Sequence, residues 1–222
     1  MTSKSEVTIR CFRPEDSVRC CTIFTEGMKG LCIPVMKTFY LVFLKIAAIF
    51  LVIVSAIAVK WSVWTLLVFY VVLLVVITAA AYVYVYLCVM NYINHSLKSD
   101  LLDIEKYYDG HDSCMFVAEC DGRVIGMVGV ATKEHHKPGV AELRRMSVCS
   151  TARRKRIGTI LVNKVIDYCK EKKYDKIILS TAHLRRAAVA LYKKHGFKVV
   201  KSELYLPFIL FNVYDLYFEK NI

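Results

Sequence analysis

The residues best suited to chemistry lie between Glu142 and Lys170. Val140 to Val148 alternates like a strand. Arg153-Arg154-Lys155-Arg156 follows as a basic turn. A helix pattern then sets Ile157, Ile160, Leu161, Val165 and Cys169 on one face and Asn163, Lys164, Asp167 and Glu171 on the other. A strand running through a basic turn into a helix start can hold an anion. The first-turn N–H groups lack helical partners, and the helix dipole adds partial positive charge there. A phosphate-bearing cofactor fits such a place. So does a plain connection with a solvated or lipid-facing turn, and the stretch alone leaves both readings open.

The elements that must position this unit sit in an unusually apolar chain. Of 222 residues, 56% are hydrophobic and mean hydropathy is +0.42, beyond an ordinary soluble domain. The formal charge is +12, from 31 Lys and Arg against 19 Asp and Glu. Anionic lipid and nucleic acid both answer to such charge. The long apolar run decides for membrane lipid and against nucleic acid. Nine Cys occur without a CxxC pair or zinc spacing with His, which predicts reduced thiols facing the cytosol and no metal.

In chain order, Val7 to Phe12 alternates like a strand. Pro14 and Asp16 open a helix through Val18, Cys21, Ile23, Phe24 and Met28, weakened at Gly27 and Gly30. From about Phe39 to Met90 the chain is nearly all apolar, too long for a single span of about 20 residues. Lys60 divides it, with Trp61 and Trp64 beside the break and Tyr82, Tyr84 and Tyr86 towards the other end. A helical hairpin follows, and two crossings return the chain to its starting side. Lys29, Lys37, Lys98 and Lys106 flank it and place both ends in the cytosol. The expected organisation is residues 1–37 as the first strand and helix of a domain, 38–90 as a transmembrane hairpin, and 91–222 as the rest of that domain.

After the hairpin, Ser99 to Tyr108 reads as a helix capped by Ser99. Ser113–Glu119 and Val124–Ala131 read as strands around an Asp121-Gly122 turn. His135 to Gly139 is a loop. Lys176–Ser180 is a strand, Leu184–His195 a helix stopped by Gly196, and Phe197–Leu204 and Phe211–Phe218 two further strands. Pro207 keeps Tyr205 to Leu210 out of a central strand. The order is α+β with a mixed sheet flanked by helices.

This order and three local motifs resemble the GNAT superfamily of acetyl-CoA-dependent N-acetyltransferases. Arg153 and Gly158 match its pyrophosphate turn, with Arg156 and Arg154 where glycines are usual. Ala188-Val189-Ala190-Leu191-Tyr192-Lys193-Lys194-His195-Gly196-Phe197 is similar to its Ala-x-x-Leu-Tyr-x-x-x-Gly-Phe motif, with Arg185 in place of an Asn. Glu142-Leu143-Arg144-Arg145-Met146-Ser147-Val148 and the apolar insertion after the first strand and helix resemble, more narrowly, the camello-like membrane enzymes of the N-acetyltransferase 8 family.

The resemblance implies a membrane-anchored enzyme moving an acetyl group from acetyl-CoA to a primary amine, at the endoplasmic reticulum with its catalytic domain in the cytosol. Cysteine S-conjugates and protein lysines are both implied acceptors. It implies that Tyr192 protonates the leaving thiolate and that Glu142 takes the amine's proton. It implies that the cofactor is held by Met146 and Val148 backbone, by Arg153, Arg154 and Arg156, and by the amides of Ile157, Gly158 and Thr159. Arg156 has two expected outcomes: an ordinary right-handed turn that binds coenzyme A, or a distorted one that leaves a weak enzyme acting by interaction. Packing of the Tyr192 ring on the sheet, and pairing of Glu142 with an Arg, are the plain structural alternatives. His135, His136 and His195 read as surface or helix-end residues, and His183, following the fifth strand, reads as a capping or surface residue or as one facing the acceptor. Tyr205, Phe208, Phe211, Tyr214, Tyr217 and Phe218 read mainly as sheet core. Arg153 to Arg156 also resembles a nuclear signal, a reading the hairpin disfavours.

Overall fold

The computed structural model describes residues 6–57, 63–110, 112–132, 138–205 and 211–222. Seven strands form one sheet: β1 (Val7–Cys11), β2 (Cys114–Cys120), β3 (Arg123–Ala131), β4 (Val140–Val148), β5 (Lys176–Ala182), β6 (Lys198–Leu204) and β7 (Tyr214–Asn221). Their order is β1-β2-β3-β4-β5-β7-β6, and only β4 and β5 run parallel. The helices are α1 (Ser17–Lys29), α2 (Cys32–Ile57), α3 (Val63–Leu97), α4 (Ile104–Tyr108), α5 (Ile157–Glu171) and α6 (Arg186–Lys194).

The parallel pair is the feature that makes a site. β4 and β5 match only from Val140 to Glu142 against Lys176 to Ile178, then part. Arg145 lies at φ +52°, and the β3–β4 register slips there by one extra residue on β4. This bulge bends β4 away from β5 and re-aims its side chains. The hairpin turn before β3 behaves as its Asp-Gly step predicts, with Asp121 and Gly122 at φ +50° and +72°.

One core lies between the sheet and helices α1 and α5. A second lies where α2 and α3 meet the β5 and β7 ends, around Val35, Val85, Val89, Ile93, Phe211 and Val213. α3 carries the segment Leu67–Leu97, apolar and long enough to cross a membrane. At 1.5 Å per residue it reaches about 46 Å, longer than a bilayer core of about 30 Å. Its lower turns are accordingly buried on the domain by a stripe of Val85, Val89, Ile93 and Ser96, at helical spacing, while Leu67 to Val76 are mostly exposed.

Several expectations need correction. The helix expected from Ser99 starts at Ile104, because Asp103 caps it by accepting the Lys106 amide at 3.0 Å. Val18 is 80% exposed, so α1 buries Cys20, Ile23 and Phe24 instead. On α5, Ile160 is exposed and Val162 takes its place in the core. The last strand begins at Tyr214, since Phe211 turns to the second core and packs against Phe39 with ring centroids 5.0 Å apart. Tyr214 is exposed while Phe218 is fully buried, which makes the aromatic run only part core. The turn expected at Lys60, together with Trp61, His135, His136, Pro207 and Phe208, lies outside the described residues.

Candidate active site

Past Glu142, β4 has no β5 partner, and a cavity of about 190 Å³ opens between the strands. α1, α3, α6 and β7 close it, through Phe24, Tyr92, Arg185, Tyr192 and Asp215 among others.

Tyr192 comes from α6, whose amphipathic face turns it inward. It is 6% exposed, with Phe197 and Phe218 packed on its ring at 5.8 and 5.9 Å. Its hydroxyl donates to Met146 Sδ at 3.5 Å, and burial pushes its pKa up to about 12. The phenol therefore keeps its proton at neutral pH and remains a donor. The ring is core and the hydroxyl reaches the cleft.

Glu142 sits at the last paired position of β4, opposite Ile178, and lines the cleft. Its Oε2 is 3.9 Å from Arg144 Nε. The pairing with an Arg expected as the plain structural alternative is present.

Beside them lies a charge network that sequence reasoning missed. Asp100 is 1% exposed. It accepts from Arg145 Nε at 2.8 Å and Nη2 at 2.5 Å, from Tyr108 Oη at 3.0 Å and from Ser99 Oγ at 3.0 Å. Arg145 Nη1 also donates to Ser96 Oγ at 2.9 Å and Tyr92 Oη at 3.2 Å, and its guanidinium lies 5.1 Å from the Phe24 ring. Burial works to raise the Asp100 pKa, but Arg145 and Arg144 outweigh it and hold the carboxyl below its ordinary value. Tyr108 is kept in place by Gly129, where a Cβ would stand 2.7 Å from the ring. The β4 bulge is thus tied to the foot of α3. In sequence, Asp100 is only one of three acids in a short amphipathic stretch, and no local pattern marks it. Asp215, also unforeseen, lines the same cleft. Its pKa is raised by burial and by the neighbouring Glu203 charge.

On the far side of Met146 lies the basic turn. Arg154 and Arg156 stand at φ +63° and +62°. Arg156 does not take the ordinary right-handed geometry: its backbone is left-handed, the geometry natural to glycine, with arginine bearing the strain. Arg153, Arg154 and Arg156 point to solvent, and Arg153 Nε donates to the Val148 carbonyl at 3.4 Å. The Ile160 amide makes the first helical bond of α5, to the Arg156 carbonyl at 3.1 Å. The amides of Ile157, Gly158 and Thr159 precede it with no helical acceptor. Ile157's side chain is core, so only its backbone can serve a ligand. A Cβ on Gly158 would lie 3.2 Å from Met146 Cε and 3.1 Å from Leu191 Cδ2, which shows how closely the turn abuts the cleft. Val148 pairs with Gly126 of β3.

His183 and His195 play structural parts. His183 Nδ1 accepts the Tyr214 amide at 3.0 Å, and His195 Nδ1 donates to the Leu191 carbonyl at 2.8 Å at the end of α6. All nine cysteines are free thiols.

Residues 84–197 match the family model described as Acetyltransferase (GNAT) family, just over half the chain. The chain belongs to the GNAT acetyltransferase family. It is 30% identical over 208 residues to the probable N-acetyltransferase camello of Xenopus tropicalis, covering 90% of each chain. It is 30% identical to N-acetyltransferase 8F1 of Mus musculus, over 86% of this chain and 85% of that one. It is 33% identical to N-acetylaspartate synthetase of Xenopus tropicalis, over 89% of this chain and 72% of that one. Among solved structures, a GNAT-family acetyltransferase from Staphylococcus aureus Mu50 aligns with TM-score 0.59 at 17% identity, covering 97% and 99% of the chains. The PaiA N-acetyltransferase of Thermoplasma acidophilum, solved with coenzyme A, aligns with TM-score 0.59 at 16% identity, covering 98% and 99%. These likenesses establish the GNAT fold, and two of the relatives carry the name N-acetyltransferase.

Proposed function

We propose that this protein is a membrane-anchored enzyme that moves the acetyl group of acetyl-CoA to a primary amine, the α-amine of cysteine S-conjugates being the leading acceptor. The observation that carries the reading is the opened β4–β5 pair, with Tyr192 and Glu142 at its cleft and the first turn of α5 abutting Met146 beside it. The unpaired β4 edge fits the pantetheine amides through the Met146 and Val148 backbone. The amides of Arg156 to Thr159 fit the pyrophosphate, with charge from Arg153, Arg154 and Arg156.

In this mechanism the neutral amine attacks the thioester carbonyl. Glu142, directly or through one water, takes the proton the nitrogen loses. The strand amide at Met146 faces the tetrahedral oxyanion. As the carbon–sulfur bond breaks, the electron pair leaves on sulfur and Tyr192 supplies its proton. Protein lysine is the alternative acceptor. A catalytically weak protein acting by interaction would need a failed cofactor turn, and the retained left-handed geometry at Arg156 argues against that.

Anchoring rests on α3, whose exposed upper turns suit lipid, with α2 as the second arm of a hairpin. Residues 1–37 and 91–222 then form one cytosolic acetyltransferase domain at the endoplasmic reticulum, with 38–90 in the membrane. The test is acetyl-CoA affinity of the detergent-solubilised protein beside Arg156→Gly. Micromolar binding by the native chain supports the reading. Binding only after Arg156→Gly returns the protein to an interaction role. No binding in either refutes the cofactor assignment.

A further inference from the structure

Three guanidinium groups line the cleft: Arg144, Arg145 and Arg185. The first two face Asp100, at 4.0 Å from Arg144 and in a bidentate pair with Arg145. Arg185 has no carboxylate partner among the described residues. Its Nη2 reaches only the Gly27 carbonyl at 3.4 Å and Met28 Sδ at 2.8 Å, across the cleft on α1. A guanidinium has five donors and stays protonated in proteins. Burial lowers the Arg185 pKa, a sign that its charge is poorly solvated. A charge held this way is costly unless something anionic comes to it.

We propose that Arg185 binds a carboxylate on the acceptor, so that the site selects amines bearing a carboxylate over simple amines and lysine side chains. This rests on the acetyl-transfer reading above. The cofactor's phosphates are accounted for by the turn from Arg153 to Thr159, and its pantetheine arm is neutral. The anion left for Arg185 is therefore the acceptor's. Glu142 and Asp215 line the same cavity and suit the amine of that acceptor. The two signs of charge match a zwitterion, with the carboxylate at the mouth of α6 and the nitrogen near β4. The proposal also explains why arginine stands where the superfamily motif has Asn: a fork of donors grips a carboxylate in two-point geometry that an amide cannot reproduce.

The test compares S-benzyl-L-cysteine with its decarboxylated counterpart, 2-(benzylthio)ethylamine, on the full-length protein in detergent, by release of coenzyme A thiol. We expect the carboxylate to raise kcat/KM by about 100-fold or more, since a site built for a polar group rejects the analogue lacking it. Arg185→Gln should remove that preference by raising KM for S-benzyl-L-cysteine, with Arg185→Lys restoring part of it. Neither change should alter acetyl-CoA affinity. Equal rates for the two amines in the native protein would overturn the proposal, and that comparison needs no variant. So would an equal loss on both acceptors in Arg185→Gln, or a raised KM for acetyl-CoA alone. If neither amine turns over, binding to the coenzyme A-loaded protein is read by calorimetry. Absence of carboxylate-dependent binding there overturns it. Loss of acetyl-CoA binding by the native protein sinks the acetyl-transfer reading instead, and is measured separately.

Discussion

The turn from Arg153 to Thr159 is contiguous in sequence, and its basic side chains run into solvent. The cleft on the other side of Met146 takes its side chains from α1, α3, β4, α6 and β7 and largely hides them. Both regions are rich in arginine, yet the charges live in different media. In the turn, water screens each one and a single change is cheap. In the cleft, Asp100, Arg144 and Arg145 are mutually dependent, so removing one strands another. The turn can thus vary at Arg154 and Arg156 and keep its backbone shape, whereas the cleft is all-or-none.

Breaking Asp100 should show that contrast most strongly. Asp100→Ala leaves Arg145 buried without its carboxylate and should cost about 3–5 kcal/mol, read by thermal unfolding in detergent. The native pair has a pH signature. Asp100's pKa is lowered in the fold, so its stabilisation is fully present above the ordinary carboxylate range, near pH 4, and is lost as pH falls through the lower folded value. Asp100→Ala should lose that acid-limb component.

Tyr192→Phe should lower kcat by about 10²- to 10⁴-fold with acetyl-CoA affinity unchanged, if the phenol is the acid. Because burial pushes its pKa up to about 12, no alkaline fall in kcat from Tyr192 is expected near pH 8–9. Unchanged kcat in the variant would reduce Tyr192 to a packing role. Glu142→Gln should lower kcat by about 10²-fold with acetyl-CoA affinity unchanged. Unchanged kcat in the variant would leave Glu142 as a partner of Arg144 only.

In the turn the effects should be small. Arg153→Ala and Arg154→Ala should each weaken acetyl-CoA binding a few-fold, more so at low salt. Arg156→Gly should relieve about 1 kcal/mol of left-handed strain and stabilise the fold slightly, while losing one charge from the phosphate site. If the turn variants cost as much as the cleft variants, the contrast between the two regions fails.

Much of this was legible beforehand wherever the information was local. Val140–Val148 as a strand, the helix after Arg156, the Asp121-Gly122 turn and the stop at Gly196 follow from period and turn chemistry over a few residues. Tyr192 and Glu142 came from motifs that travel with one helix and one strand. The helix expected at Ser99 failed because Asp100, a residue with good local reason to start a helix, is drawn instead to Arg145, 45 residues away. Ile160 failed only at the edge of a stripe otherwise placed as expected: Ile157, Leu161, Val165 and Cys169 are buried, and the core covers the Val162 side of that stripe and not the Ile160 side.

By itself, the sequence determined the membrane-grade apolar run, the strand and helix order, and the strand–basic turn–helix unit. Each depends on neighbours within one or two turns, and hydrophobic periodicity records them directly. Tertiary structure alone decided that β4 parts from β5 after Glu142, that Arg145 spends its charge on Asp100, and that Arg185 keeps its own for the cleft. Those outcomes depend on which groups meet across the sheet and at the foot of α3. Burial is what makes an unpaired charge costly and a paired one permanent, and burial belongs to the folded chain.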